Sequence, residues 1–159
     1  MALAMFYHLT RSGPEATVAL LLGRARGQGW RVMVRGTAPE RLAALDEQLW
    51  TEPADGFLPH GMEGGPADAL QPVLLGCGPI ANAAQGLMLV DGAEAELAEV
   101  RGLERVWVIF DGNDSAAVEG ARGLWRRITG AGIAAQYWAE DGGRWEKRTE
   151  RAAGDPAAG

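Results

Sequence analysis

Few residues in this chain have the type and spacing that catalysis needs. Gly76-Cys77-Gly78-Pro79-Ile80-Ala81 follows an apolar run and fits the G-x-G-x-x-A spacing of a dinucleotide-binding turn. That turn works by aiming backbone amides and a helix N-terminus at a pyrophosphate. Here Pro79 removes one amide, the run from Pro72 to Leu75 is short, and no clear helical pattern follows. The segment reads as a turn-rich connection. No G-x-x-x-x-G-K-[ST] exists, and the only lysine is Lys147, which removes a P-loop ATPase. His8 and His60 are the only histidines and cannot make a usual metal site alone. Cys77 could act as a nucleophile beside a histidine, but a single cysteine in an apolar stretch reads as an inert filler. No G-x-S-x-G marks a hydrolase elbow. Asp111 and Asp114 flank Gly112-Asn113 at a strand's end, where they read as a helix cap. The expectation is no catalytic residue, no metal and no cofactor.

The elements that would position these residues alternate. Met5 to Leu9 reads as a strand. Ser12-Gly13-Pro14-Glu15 has the form of a capping box, with Pro in the first turn. Val18, Leu21, Leu22 and Ala25 then form one helical stripe, stopped by Gly27 and Gly29. Trp30 to Val34 is a second strand, and Thr37-Ala38-Pro39-Glu40 repeats the capping box before a helix ending near Trp50. Residues 51–71 are rich in Gly, Pro and acidic side chains and read as a long loop. Apolar runs at 72–75, 87–90 and 106–110 follow, then a helix over about 115–129 and a strand from Ile133 to Trp138. Asp141-Gly142-Gly143 is a hairpin turn returning through Arg144 to Lys147. Strands alternating with helices predict an α/β sandwich with a mainly parallel sheet and one C-terminal antiparallel hairpin. One domain over 1–148 and a disordered tail over 149–159 are expected.

The composition agrees with a folded domain. Of 159 residues, 47% are hydrophobic and 23% charged. No apolar run is long enough to span a membrane. The N-terminal MALAMFYHLTRSG lacks the pattern of a secretory signal, so a cytoplasmic location is expected. The net charge is −6, yet residues 121–151 hold seven basic and four acidic side chains. An acidic protein with one basic end is a poor general nucleic-acid binder but can hold a short acidic partner there.

Six tryptophans are many for this length. Trp50, followed by Pro53, Phe57, Leu58 and Pro59, makes an apolar ladder in what should be a wet loop. Such aromatics either face a partner or cover an edge of the core.

The stretch Arg41-Leu-Ala-Ala-Leu-Asp-Glu-Gln-Leu-Trp50, continued by Pro53 and Phe57-Leu58-Pro59-His60, resembles the chi subunit of the bacterial DNA polymerase III holoenzyme. Phe6-Tyr7, Phe110-Asp111-Gly112-Asn113-Asp114, and Tyr137-Trp138 running to Trp145-Glu146-Lys147 extend the resemblance over residues 4–148. It implies a Rossmann-like three-layer fold without a nucleotide site, and a non-catalytic adaptor. Two partners follow from it. One is the clamp-loader complex, through the psi subunit or its replacement, at a surface that includes Trp50, Phe57 and Pro59. The other is the acidic C-terminal tail of single-stranded-DNA-binding protein, which ends in Phe. By the resemblance the tail site lies on the last long helix, at Arg122, Trp125 and Arg126. DNA is then met only indirectly, as the coated strand. On a helical wheel Val118, Ala121, Leu124, Trp125 and Ile128 form one apolar arc, Arg122 and Arg126 lie on its edge, and Arg127 points away. Trp125 can thus be core or pocket wall. The competing reading is a nucleotide-dependent enzyme, which needs a phosphate loop after the first strand, where the sequence is Leu9-Thr10-Arg11-Ser12-Gly13-Pro14.

The charge distribution makes one expectation measurable. Bare single-stranded DNA should bind more weakly than about 1 μM at physiological salt. Tighter binding in a fluorescence-anisotropy titration contradicts the reading.

Overall fold

The computed structural model describes residues 2–51 and 59–154. Eight strands and four helices follow in the order β1 (Leu3–Leu9), α1 (Pro14–Gly27), β2 (Val32–Arg35), α2 (Pro39–Thr51), β3 (Gly61–Met62), β4 (Val73–Gly76), β5 (Gly86–Leu89), α3 (Leu97–Arg101), β6 (Arg105–Asp111), α4 (Ser115–Gly130), β7 (Ala134–Asp141) and β8 (Arg144–Arg151). They form one sheet in the order β3-β4-β2-β5-β6-β1-β7-β8. Every pairing is parallel except β7 with β8. This is the expected α/β sandwich with its closing hairpin.

Strand side chains alternate between two cores, as the two-residue period requires. Ala4, Phe6, Val106, Val108 and Phe110 join Ala121, Leu124 and Ile128 of α4 and Val100 of α3. Tyr7, Leu9, Trp107 and Ile109 join Val18, Leu21 and Leu22 of α1 and Leu42, Leu45 and Leu49 of α2. The central strands are apolar on both faces because helices cover both. β6 leads through α4 to β7 and passes over β1, which lies between them. So α4 sits above β1, with Phe6 beneath it. β1 and β6 are neighbours, and the chain leaves their carboxyl ends toward opposite faces; the Gly112 amide donates to the Leu9 carbonyl at 2.7 Å and Asn113 Nδ2 to the Thr10 carbonyl at 2.9 Å, which ties the two loops together.

The hairpin turn uses Gly142 (φ 59°) and Gly143 (φ 82°), the left-handed pair that matches strand twist. β8 runs to Arg151, so residues 149–151 are strand rather than tail. Within the expected loop 51–71, β3 and a short 3-10 turn at Asp68–Leu70 are ordered. The turn-rich reading of 77–85 agrees with the chain, which passes from β4 to β5 without a helix. Cys77 is exposed there, not an apolar filler, and its amide donates to Glu63 Oε2 at 2.8 Å.

Neither capping box forms, because α1 and α2 begin at Pro14 and Pro39 and so leave Ser12 and Thr37 one residue outside the N-cap; each hydroxyl donates to a distant acceptor instead. Thr37 Oγ1 donates to the Asp91 carbonyl at 3.0 Å. Helix α1 has Gly13 as its N-cap, with no side-chain bond. Ser12 Oγ instead donates to Glu140 Oε2 at 2.6 Å. The Thr10, Arg11 and Ser12 amides all donate to Glu140 Oε1, at 2.9, 3.2 and 3.0 Å. Asp114, by contrast, does cap α4, accepting from the Ala116 and Ala117 amides.

Burial alone would raise the Glu140 pKa, but the Ser12 hydroxyl and the three amides outweigh it and hold the carboxyl at about 2. The folded value lies below the ordinary 4.5, so the stabilisation is present at neutral pH and is lost as pH falls toward 2. Glu140→Gln should lower stability by about 2–3 kcal/mol at pH 7. In urea unfolding the gap to the parent should narrow as pH falls through the carboxylate range. A pH-independent gap would show that the charge is not what stabilises.

Candidate functional site

A cleft of about 520 Å³ lies between α4 and the carboxyl ends of β1 and β7, and is bordered by the middle of β8. Arg122 and Trp125 line it from α4, and His8 and Thr10 from β1. Tyr137, Ala139 and Glu140 of β7 and Arg148 and Thr149 of β8 complete it.

Trp125 is half-buried and serves both readings open to it. Its indole packs edge-on against Phe6 at 5.3 Å between ring centres and against Tyr137 at 5.9 Å. The rest of the ring walls the cleft. Tyr137 also stacks on Phe6, at 6.3 Å, so the three rings form a triangle. Its hydroxyl lies 2.8 Å from His8 Nδ1. The imidazole also meets Phe110 edge-on and lies against Gly112, where any Cβ would collide with it. Only glycine fits at the end of β6 for that reason.

The cleft carries positive charge at its rim. Arg122 is exposed and forms a loose pair with Glu119 at 3.6 Å. Arg148 is half-exposed and reaches Asp141 at 3.6 Å and Glu146 at 3.3 Å. Burial lowers the His8 pKa, Arg122 lowers it further, Asp111 opposes, and Arg148 adds to the lowering. Burial likewise raises that of Tyr137, against the pull of Arg122. The site therefore presents an aromatic wall, two guanidinium groups and a neutral imidazole, which suits an acidic ligand with an apolar end.

Of the residues expected on α4, Arg122 and Trp125 come together in the cleft. Arg126 is exposed on α4 but does not line it. Arg127 does not simply point away: it flanks the other margin of the helix, paired with Glu94 at 3.3 Å. His8, Tyr137 and Arg148 were not singled out for this site. His8 and Tyr137 meet across 129 residues of sequence, so no local spacing signals them.

Trp50 is 49% exposed at the end of α2 and packs on the His60 ring at 4.1 Å. His60 is buried, with Nε2 3.1 Å from the Asp46 carbonyl. Pro59 is half-buried beside it in sequence, and Phe57 lies outside the described residues. This patch belongs to the β3 edge of the sheet, whereas the cleft belongs to the β8 edge. A second groove, about 260 Å³, lies between α1 and the hairpin, walled by Tyr7, Leu20, Trp138 and Trp145.

The loop after β1 is where a Rossmann-type enzyme would hold phosphate. Its converging amides already hold the Glu140 carboxylate. Among the described residues no cluster of three metal-ligating side chains occurs.

The sequence matches the family described as DNA polymerase III chi subunit, HolC, over residues 1–136. The chain belongs to the DNA polymerase III chi subunit family. It is thereby an accessory subunit of DNA polymerase III. A comparison with curated proteins gave no match. The chi-family match ends before Tyr137, so β8 and most of the β7 side of the cleft lie beyond it. No helix among the described residues is long and apolar enough to cross a membrane.

Because Trp125 is also a core contact, Trp125→Ala should cost about 2–3 kcal/mol of stability. Trp50→Ala should cost less than about 1 kcal/mol. Chemical denaturation of the two variants checks this, and the reverse order would mean that the packing of the two rings is misassigned.

Proposed function

We propose that this chi-family chain is a non-catalytic, cytoplasmic adaptor with two separate docking surfaces. The cleft takes the acidic, Phe-ending C-terminal tail of single-stranded-DNA-binding protein. The Trp50 patch, with Phe57 and Pro59, takes the clamp-loader complex through the psi subunit or its replacement. DNA is reached only through the protein that coats it. The adaptor would thus couple the polymerase and its loader to coated lagging-strand template.

The observation that carries the reading is Trp125 beside Arg122 in one open cleft. The tail's terminal aromatic needs an apolar wall, and its free carboxylate and aspartates need cations. The placement of the Trp50 patch at the opposite sheet edge supports simultaneous occupancy of both surfaces. The Glu140 carboxylate inside the phosphate-loop position counts against the nucleotide-enzyme alternative.

Isothermal titration with the tail peptide tests the first surface. Arg122→Ala should weaken binding by roughly thirtyfold, the effect of truncating a desolvated contact. Arg126→Ala, one turn farther along α4, should act only through charge, and less as salt rises. Arg127→Ala should change nothing. Equal losses for Arg127→Ala and Arg122→Ala would place the site elsewhere. For the second surface, Trp50→Ala should reduce clamp-loader capture in a pull-down and leave the peptide affinity unchanged.

A further inference from the structure

The β8 wall of the cleft is not covered by the family match, yet it carries as much charge as α4 does. Arg148 is there, and so is Thr149. Arg122, Arg148 and His8 all line the cleft, and the charge of each arginine disfavours the His8 imidazolium. Among the described residues, the pairs that hold these arginines are exposed and 3.3 to 3.6 Å long. Such pairs contribute little and yield to a better-placed carboxylate. An acidic peptide lying along α4 alone would leave the opposing guanidinium without use.

We propose that the ligand's carboxylate is held between Arg122 of α4 and Arg148 of β8, above His8, and that its binding draws a proton onto His8. This rests on the acidic-tail reading of the cleft and adds its second wall and a pH dependence. The groups that face His8 are Tyr137 of β7, Arg122 of α4, Asp111 of β6 and Arg148 of β8. Glu140 also borders the cleft, but its carboxylate is turned into the loop after β1. In the empty cleft, burial and two cations disfavour the imidazolium. A bound carboxylate cancels the repulsion from both arginines, so the imidazole becomes easier to protonate. Protonation and binding then reinforce each other, because linkage is reciprocal.

The signature belongs to this protein rather than to the ligand. Peptide carboxylates and arginines do not titrate between pH 6 and 8, and acetylating the peptide's N-terminus removes its one group that does. His60, the other histidine, packs against Trp50 at the far edge of the sheet.

The test titrates a synthetic, N-acetylated acidic peptide ending in Phe into the full chain at pH 6 and pH 8. The parent, Arg148→Gln, His8→Gln and Arg122→Ala are compared, with fold checked by thermal melting. Arg148→Gln should weaken binding about tenfold, and the parent should bind severalfold more tightly at pH 6 than at pH 8. His8→Gln should bind with no pH dependence. A histidine NMR titration of the parent, which needs no variant, should show the His8 pKa rising when peptide is added. Binding that depends on Arg122 but not on Arg148 or pH overturns this inference and leaves the tail reading standing. Absence of any peptide binding overturns both.

Discussion

The carboxylate of Glu140 in the loop after β1 is the interaction on which the rest of the arrangement depends. It is buried, ionised and bonded to three successive amides and a hydroxyl. A charge in that position is tolerable only because so many donors meet it. The bond set joins the start of α1 to the end of β7, some 130 residues apart. It therefore fixes the β7–β8 hairpin against the central strand. The hairpin in turn supplies Tyr137 and Arg148 to the cleft. The same carboxylate occupies the place where a related fold would hold phosphate. One interaction thus shapes the cleft beside α4 and fills the feature a nucleotide site would require.

The sheet order then separates the two surfaces. Because β6 returns through α4 over β1, the helix lies across the β6-β1-β7 side of the sheet. Helix α2 covers the other face near β3 and β4, and presents Trp50 at its end. Two partners approaching these edges need not compete for space. The cleft is exposed and its cations loosely paired, which suits a reversible contact with a flexible acidic segment. The Trp50 ring is half-exposed and rests on a buried histidine.

Much of this was readable from the chain itself, and the exceptions have a common cause. The apolar runs of β1, β2 and β6 and the stripe of α1 announce themselves because their partners cover both faces. Helix α3 has five residues, too few for a period to show. Ser12 and Thr37 have the form of caps, but Glu140 and the Asp91 carbonyl, both far along the chain, take their hydroxyls. The α4 wheel puts Trp125 within the apolar arc and Arg122 and Arg126 on its edge, and Arg122 and Trp125 do line one cleft. It could not tell Arg122 from Arg126, because only the hairpin decides which of them overlooks the cleft. Nor could it show that Arg127 meets Glu94 on the other side. His8 and Tyr137 form half the cleft floor through a contact that no local spacing encodes.

The central claim is that an acidic, aromatic-ended peptide occupies the cleft beside α4. A crystal structure of the chain with the tail peptide tests it most directly. The account predicts the terminal aromatic against Trp125 and Tyr137, with its carboxylate between Arg122 and Arg148. Density for the peptide in the groove of Trp138 and Trp145, or over Trp50, with the α4 cleft empty, would contradict it.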